Sequence, residues 1–203
     1  MNARRSGASV LRVLLTILML AGLLSACSEK APQFHATDIT GTDYGAALKM
    51  PDASGKTRTM ADFSGKVVAV FFGYTQCPDA CPTSLALLSD VTRRLGEDGK
   101  RLQVVFITVD PERDMPQQLG QYTAAFNPTF LALRGSAEQT SAVAKAFNVF
   151  YEKRGDIAGG HYTMDHTAGI YLLDPKGRTR LFVRYGETPE NLLADIKLLL
   201  AGK

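Results

Sequence analysis

The clearest signal along the chain is an unbroken apolar run from Val67 to Gly73 (VVAVFFG), the length and pattern of a strand buried on both faces of a sheet. From Cys81 to Leu95, apolar residues recur at Leu85, Leu88, Val91 and Leu95, which is helical spacing. Leu102 to Val109 (LQVVFITV) reads as a second buried strand, Pro116 to Phe126 as a helix and Phe130 to Leu133 as a short strand. Ala137 to Val149 reads as another helix. Ala168–Leu173 and Thr179–Val183 flank the turn sequence Asp174-Pro175-Lys176-Gly177 and form a hairpin. Thr188 to Leu200 closes the chain as an amphipathic helix with Pro189 in its first turn. Before this series, Phe34 to Gly65 is irregular and turn-rich and is expected to hold one or two short hairpins.

Strands alternating with helices predict an α/β sandwich with parallel crossovers. A βαβ unit, a terminal ββα unit and two cysteines at the first strand-to-helix turn together resemble the thioredoxin fold. The expectation is therefore a central mixed sheet over residues 34–203, with helices on both faces and an N-terminal hairpin extension.

Composition adds little, except at the N-terminus. The chain is 45% hydrophobic and 21% charged, ordinary for a globular protein. Its net charge of +3 equals the three arginines, Arg4, Arg5 and Arg12, that precede Cys27, so the remainder is neutral. A neutral domain lacks the basic footprint of a nucleic-acid binder. Behind the arginines, Val13 to Leu24 (VLLTILMLAGLL) is too short to span a bilayer but fits a signal-peptide core. It ends in Leu24-Ser25-Ala26-Cys27, which resembles the bacterial lipobox, where the cysteine is lipidated and becomes the mature N-terminus. Residues 1–26 are then a lipoprotein signal peptide and 27–33 a lipidated tether, with the domain on the periplasmic face of a bacterial membrane. An uncleaved short anchor, or secretion with Cys27 as a stray thiol, are the competing readings.

With Cys27 lipidated, two cysteines remain, Cys77 and Cys81, in an oxidising compartment. A helix beginning near Cys77 would place both thiols on its first-turn face, where free N–H groups favour thiolate. A C-x-x-x-C spacing is equally compatible with a disulfide. It is wider than the C-x-x-C of a plain dithiol oxidoreductase and opens room for a metal between two sulfurs. Of the three histidines, His35 and His161 read as surface residues. His166 precedes the Ala168–Leu173 strand, at a sheet entry that faces the cysteine turn, and becomes the third candidate donor.

These residues also carry a family resemblance. Phe72 to Leu85 (FGYTQCPDACPTSL) looks like the signature of the Sco/SenC copper chaperones of cytochrome c oxidase assembly. Val109-Asp110-Pro111-Glu112-Arg113-Asp114 and Asp165-His166-Thr167, followed by Tyr171-Leu172, resemble that family's two other motifs. The resemblance implies copper held by Cys77, Cys81 and His166, and delivery to the copper A subunit of the oxidase or another periplasmic copper protein. Thiolates favour Cu(I), and a mixed sulfur–imidazole set also holds Cu(II). Structural zinc would recruit a fourth protein ligand. Asp110 to Asp114 reads more simply as the cap and start of a helix. The chief alternative function is a thiol–disulfide reductase using Cys77 and Cys81 as a redox pair. A peroxiredoxin-like peroxidase would need Thr or Ser where Tyr74 stands, and a copper sensor remains a further alternative.

Overall fold

A computed structural model of the chain describes residues 33–45 and 48–203. The signal-peptide segment, Cys27 and residues 28–32 of the tether lie outside the described residues. Along the chain, β1 (Thr37–Asp38) is followed by a small hairpin of β2 (Lys49–Pro51) and β3 (Thr57–Thr59). Next come β4 (Val67–Gly73), helix α1 (Ala80–Arg94), β5 (Leu102–Thr108) and α2 (Pro116–Phe126). Then follow β6 (Leu131–Leu133), α3 (Ala137–Ala146), β7 (Tyr151–Asp156) and β8 (His161–His166), before β9 (Ile170–Leu173), β10 (Thr179–Val183) and α4 (Pro189–Leu200).

Six strands make the central sheet in the order β1-β10-β9-β4-β5-β6. The β4–β5 and β5–β6 pairs are parallel, while β9 runs antiparallel to β4 and to β10. The mixed sheet and α/β sandwich are thus as the apolar pattern predicts. Every residue of β4 is buried, which explains its unbroken hydrophobicity.

Neighbouring residues of β4 point to opposite faces. Phe71 meets Phe106, whose ring contacts Tyr122 of α2 at 5.8 Å. Phe72 faces the other way and packs on Phe147, just beyond α3, at 5.3 Å, with Tyr171 of β9 beside both. Helices therefore cover both faces, with α1 and α2 on one side and α3 on the other. Buried Asp195 of α4 accepts the backbone N–H groups of His35 and Ala36, fixing where the chain enters the domain.

The N-terminal segment holds one short hairpin, β2–β3, within the expectation, and β1 pairs with β10 at the sheet edge. Two departures from the expectation have physical reasons. Helix α3 stops at Ala146, and Asn148 takes the left-handed conformation (φ 54°), a residue type that tolerates it, while the Val149 amide bonds back to Ala144. Residues 151–166, where no strand is expected, form the β7–β8 hairpin, a separate two-stranded sheet. Its pattern is faint because only one face touches the body: Tyr162, Met164 and His166 turn inward, while His161, Thr163 and Asp165 are exposed.

Candidate metal centre

The three candidate donors come from three different pieces of chain. Cys77 lies in the loop between β4 and α1, Cys81 is the second residue of α1 and fully buried, and His166 ends β8. Cys81 Sγ is 3.6 Å from His166 Nε2, and one donor atom from each residue lies within 4.8 Å of the other two. Among the described residues this is the one group of three side chains so arranged for a metal ion. It opens into a shallow depression of about 430 Å³ lined by Tyr74, Cys77, Pro78, Met164 and His166, among others. His35 and His161 are exposed and outside it.

One local expectation needs correcting. Helix α1 begins at Ala80, so Cys77 does not lie on its first turn. The loop achieves the same juxtaposition by turning on itself, with the Cys77 amide bonded to the Tyr74 carbonyl at 3.3 Å. Backbone N–H groups of Asp79 and Cys81 reach the Cys77 sulfur, so the helix entrance still favours its thiolate.

His166 is oriented by its neighbours. Its Nδ1 lies 3.2 Å from the Thr167 carbonyl, which only accepts, so Nδ1 carries the proton. In the neutral ring the Nε2 lone pair is then free and aimed at the sulfurs. The rings of Phe71 and Tyr74 meet the imidazole edge-on at 6.2 and 6.0 Å and wall it in.

Both cysteines carry free thiols in this structure. They share a proton unequally. Hydrogen bonding from the Cys81 thiol, aided by the Asp79 and Cys81 amides, pulls Cys77 down to about 4 against the cost of burial. The same bond, together with deeper burial, pushes the Cys81 thiol far up. The resting pair is a thiolate at the accessible position and a thiol at the buried one. Two soft sulfurs and one imidazole, with a fourth side open, fit a thiophilic cation such as copper.

Several residues that shape the site are not evident from the sequence pattern. Gly73 is one: a Cβ there would sit 2.6 Å from Cys81 Sγ and 2.9 Å from the Phe106 ring, so only glycine leaves room for the buried thiol. Asp114 is another. Its carboxylate accepts hydrogen bonds from the Thr75 and Thr108 hydroxyls, both at 2.6 Å, and from the Thr75 amide. The cysteine loop is thereby tied to the end of β5. The segment Asp110–Asp114 does not cap α2, whose N-cap is Met115 without a side-chain cap. Asp110 and Asp114 both point inward instead, and both are buried.

The family model SCO1/SenC matches residues 36–201, nearly the whole of the described chain. The chain belongs to the SCO1/SenC family. Among relatives, the mitochondrial SCO2 homolog of Bos taurus is 39% identical over 184 residues, which is 86% of this chain and 68% of that protein. The structure of Bradyrhizobium japonicum ScoI with copper bound is 40% identical, with a TM-score of 0.70 over 77% of this chain and 99% of that one. Yeast Sco1 with copper bound is 28% identical, with a TM-score of 0.73 over 79% of this chain and 90% of that one. In this SCO1/SenC chain the thioredoxin-like sheet therefore has direct structural parallels.

Two outcomes are expected of the site itself. Gly73→Ala should cost about 1–3 kcal/mol in chemical denaturation, as overpacking of a core does, and should slow reagent access to Cys81. A variant as stable as the wild type would contradict the contact. In the metal-free protein, thiolate is the reactive form, so Cys77 should still be alkylated by iodoacetamide at about pH 6, where an ordinary thiol is protonated. The rate should fall only as pH drops towards about 4. An alkylation midpoint near 9, the unperturbed thiol value, would refute the shared-proton arrangement.

Proposed function

We propose that this SCO1/SenC protein binds copper through Cys77, Cys81 and His166 and delivers it for cytochrome c oxidase assembly. The acceptor in this reading is the copper A subunit of the oxidase or another periplasmic copper protein. The domain works from the periplasmic face of a bacterial membrane, held there by a lipid on Cys27. The observation that supports copper is the convergence of two sulfurs and a correctly tautomerised imidazole within 4.8 Å, in a chain whose relatives of the same fold hold copper.

The donor chemistry suits a cargo. Cu(I) is favoured by the two sulfurs, and the imidazole extends the set to Cu(II). Three protein donors leave a side of the ion open towards the depression, so an acceptor's ligands can replace them one at a time. Cys77 and His166 line the depression and are the donors that an incoming group can reach, while buried Cys81 holds from behind.

The uneven proton sharing also favours a second reading, thiol–disulfide reduction of a partner. The Cys77 thiolate would attack a partner disulfide, and the Cys81 thiol would then displace the partner, leaving Cys77 and Cys81 joined as a disulfide and the partner reduced. His166→Ala distinguishes the two. Copper binding, read by metal analysis and absorption after loading with Cu(I) and Cu(II), should weaken by roughly 10–100-fold or more for Cu(II), while dithiol cycling persists. Undiminished copper binding in that variant would remove His166 from the ligand set. A wild-type protein that stays copper-free would end the copper reading. For the anchor, Cys27→Ser should abolish labelling by a radioactive fatty acid and move the protein from the membrane to the soluble periplasmic fraction; retention of the label would refute lipidation at Cys27.

A further inference from the structure

His166 stands on a hairpin that shares no strand pairing with the central sheet, whereas both cysteines belong to the β4–α1 junction. Something must fix the imidazole against the sulfurs. Three side chains outside the donor set meet at that seam. Tyr162 lies four residues before His166 on β8 and, by strand alternation, on the same inward face. Its hydroxyl donates to Asp110 Oδ1 at 2.9 Å, and Asp110 is buried beside the end of β5.

Arg113 completes the arrangement. Its guanidinium lies over the Tyr162 ring, with Cζ 3.6 Å from the centroid, and pairs with the Asp110 carboxylate. Nη1 donates to the Tyr162 backbone carbonyl at 2.8 Å and to Gln76 Oε1 at 3.3 Å, so the same group grips β8 and the residue next to Cys77. The guanidinium also lies 5.8 Å from the ring of Tyr74, which walls the imidazole. Lys153 adds a weaker tie from β7, pairing with Glu112 at 2.6 Å and lying 4.9 Å from the Tyr162 ring.

We infer that Tyr162, clamped between Asp110 and Arg113, is a positioning residue that sets the approach of His166 to Cys77 and Cys81. Tyr162 touches none of the three donors and acts through the hairpin. This rests on the copper ligand set proposed above and goes beyond it, since it says what makes the third donor available. A hydrogen bond to a carboxylate and a cation stacked on a ring are both strong for their kind when shielded from water. The clamp thus links the imidazole's strand to the loop that bears the sulfurs.

The test uses the full chain in detergent, with Tyr162→Phe, Tyr162→Ala and His166→Ala compared to wild type. Tyr162→Phe removes only the bond to Asp110 and keeps the ring under Arg113, so it tests the clamp even if the alanine variant folds poorly. Cu(II) affinity should drop about tenfold in Tyr162→Phe and approach the loss of His166→Ala in Tyr162→Ala, the usual range for residues that orient a ligand. The nitrogen hyperfine signal of Cu(II) should weaken in the same order, while Cu(I) affinity, set by the sulfurs, changes little. In the metal-free protein the His166 ring ¹⁵N shifts should move towards those of a solvated imidazole, a change that loss of stability alone does not produce. Wild-type affinity, hyperfine and ring shifts in both Tyr162 variants, with His166→Ala impaired, would overturn the clamp and leave the ligand set standing. An unimpaired His166→Ala would overturn the ligand set itself, and the clamp with it.

Discussion

The cysteine loop owes its place to one buried carboxylate. Asp114 is inaccessible to solvent, and burial raises its pKa, yet the Thr75 and Thr108 hydroxyls and the Thr75 amide all point their hydrogens at it. Such a group is costly to bury without partners and rigid once it has them. Thr75 lies two residues before Cys77, and Thr108 ends β5, the parallel neighbour of β4. The loop that presents the sulfurs is thereby fastened to the middle of the sheet. A parallel pair leaves its loops at the same end, which is why a carboxylate following β5 can reach a loop following β4.

Given a fixed loop, the chemistry of the pair follows from unequal burial. Cys81 is enclosed by Phe106 and by the space that Gly73 leaves, so its charged form is penalised and its proton is retained. Cys77, closer to the surface and receiving that thiol's hydrogen bond, holds the negative charge. One arrangement therefore supplies an accessible soft donor ready for a cation and also a nucleophile with a resolving thiol behind it. What separates metal handling from dithiol chemistry is the third group, because an imidazole lone pair aimed at the sulfurs helps to hold a cation and is not required for disulfide exchange.

The elements that bury apolar surface on a regular period were legible from the sequence. The bounds of β4, β10 and α2 are those that hydrophobic pattern and Pro116 indicate, because these segments sit wholly or half inside the core. The β7–β8 hairpin was not, since it presents one inward face of Tyr151, Lys153, Tyr162 and Met164, in which a lysine and two tyrosines blur the contrast between sides. All three donors could be nominated from residue type and motif, but the helix start at Ala80 could not, because Pro78 and Pro82 are each compatible with a first turn. The inward roles of Asp110 and Asp114 were hidden for a related reason. An Asp-Pro pair reads locally as the cap and start of a helix, and only the tertiary structure brings Tyr162 to Asp110 and Thr75 to Asp114.

The division of the site between two attachments has a consequence for how it could release an ion. Cys81 is held in the core at the start of α1, and the loop that carries half-buried Cys77 is tied to the sheet through Asp114. The imidazole is held by side chains: a phenol on a carboxylate, a guanidinium over a ring, and a lysine–glutamate pair at the rim. Side-chain contacts of this kind can exchange partners without disturbing strand pairing, whereas moving the Cys81 sulfur would require unpicking the core. In the copper reading proposed above, the nitrogen tethered from outside the sheet would be freed before the buried Cys81 sulfur, and the two sulfurs left would favour the reduced ion.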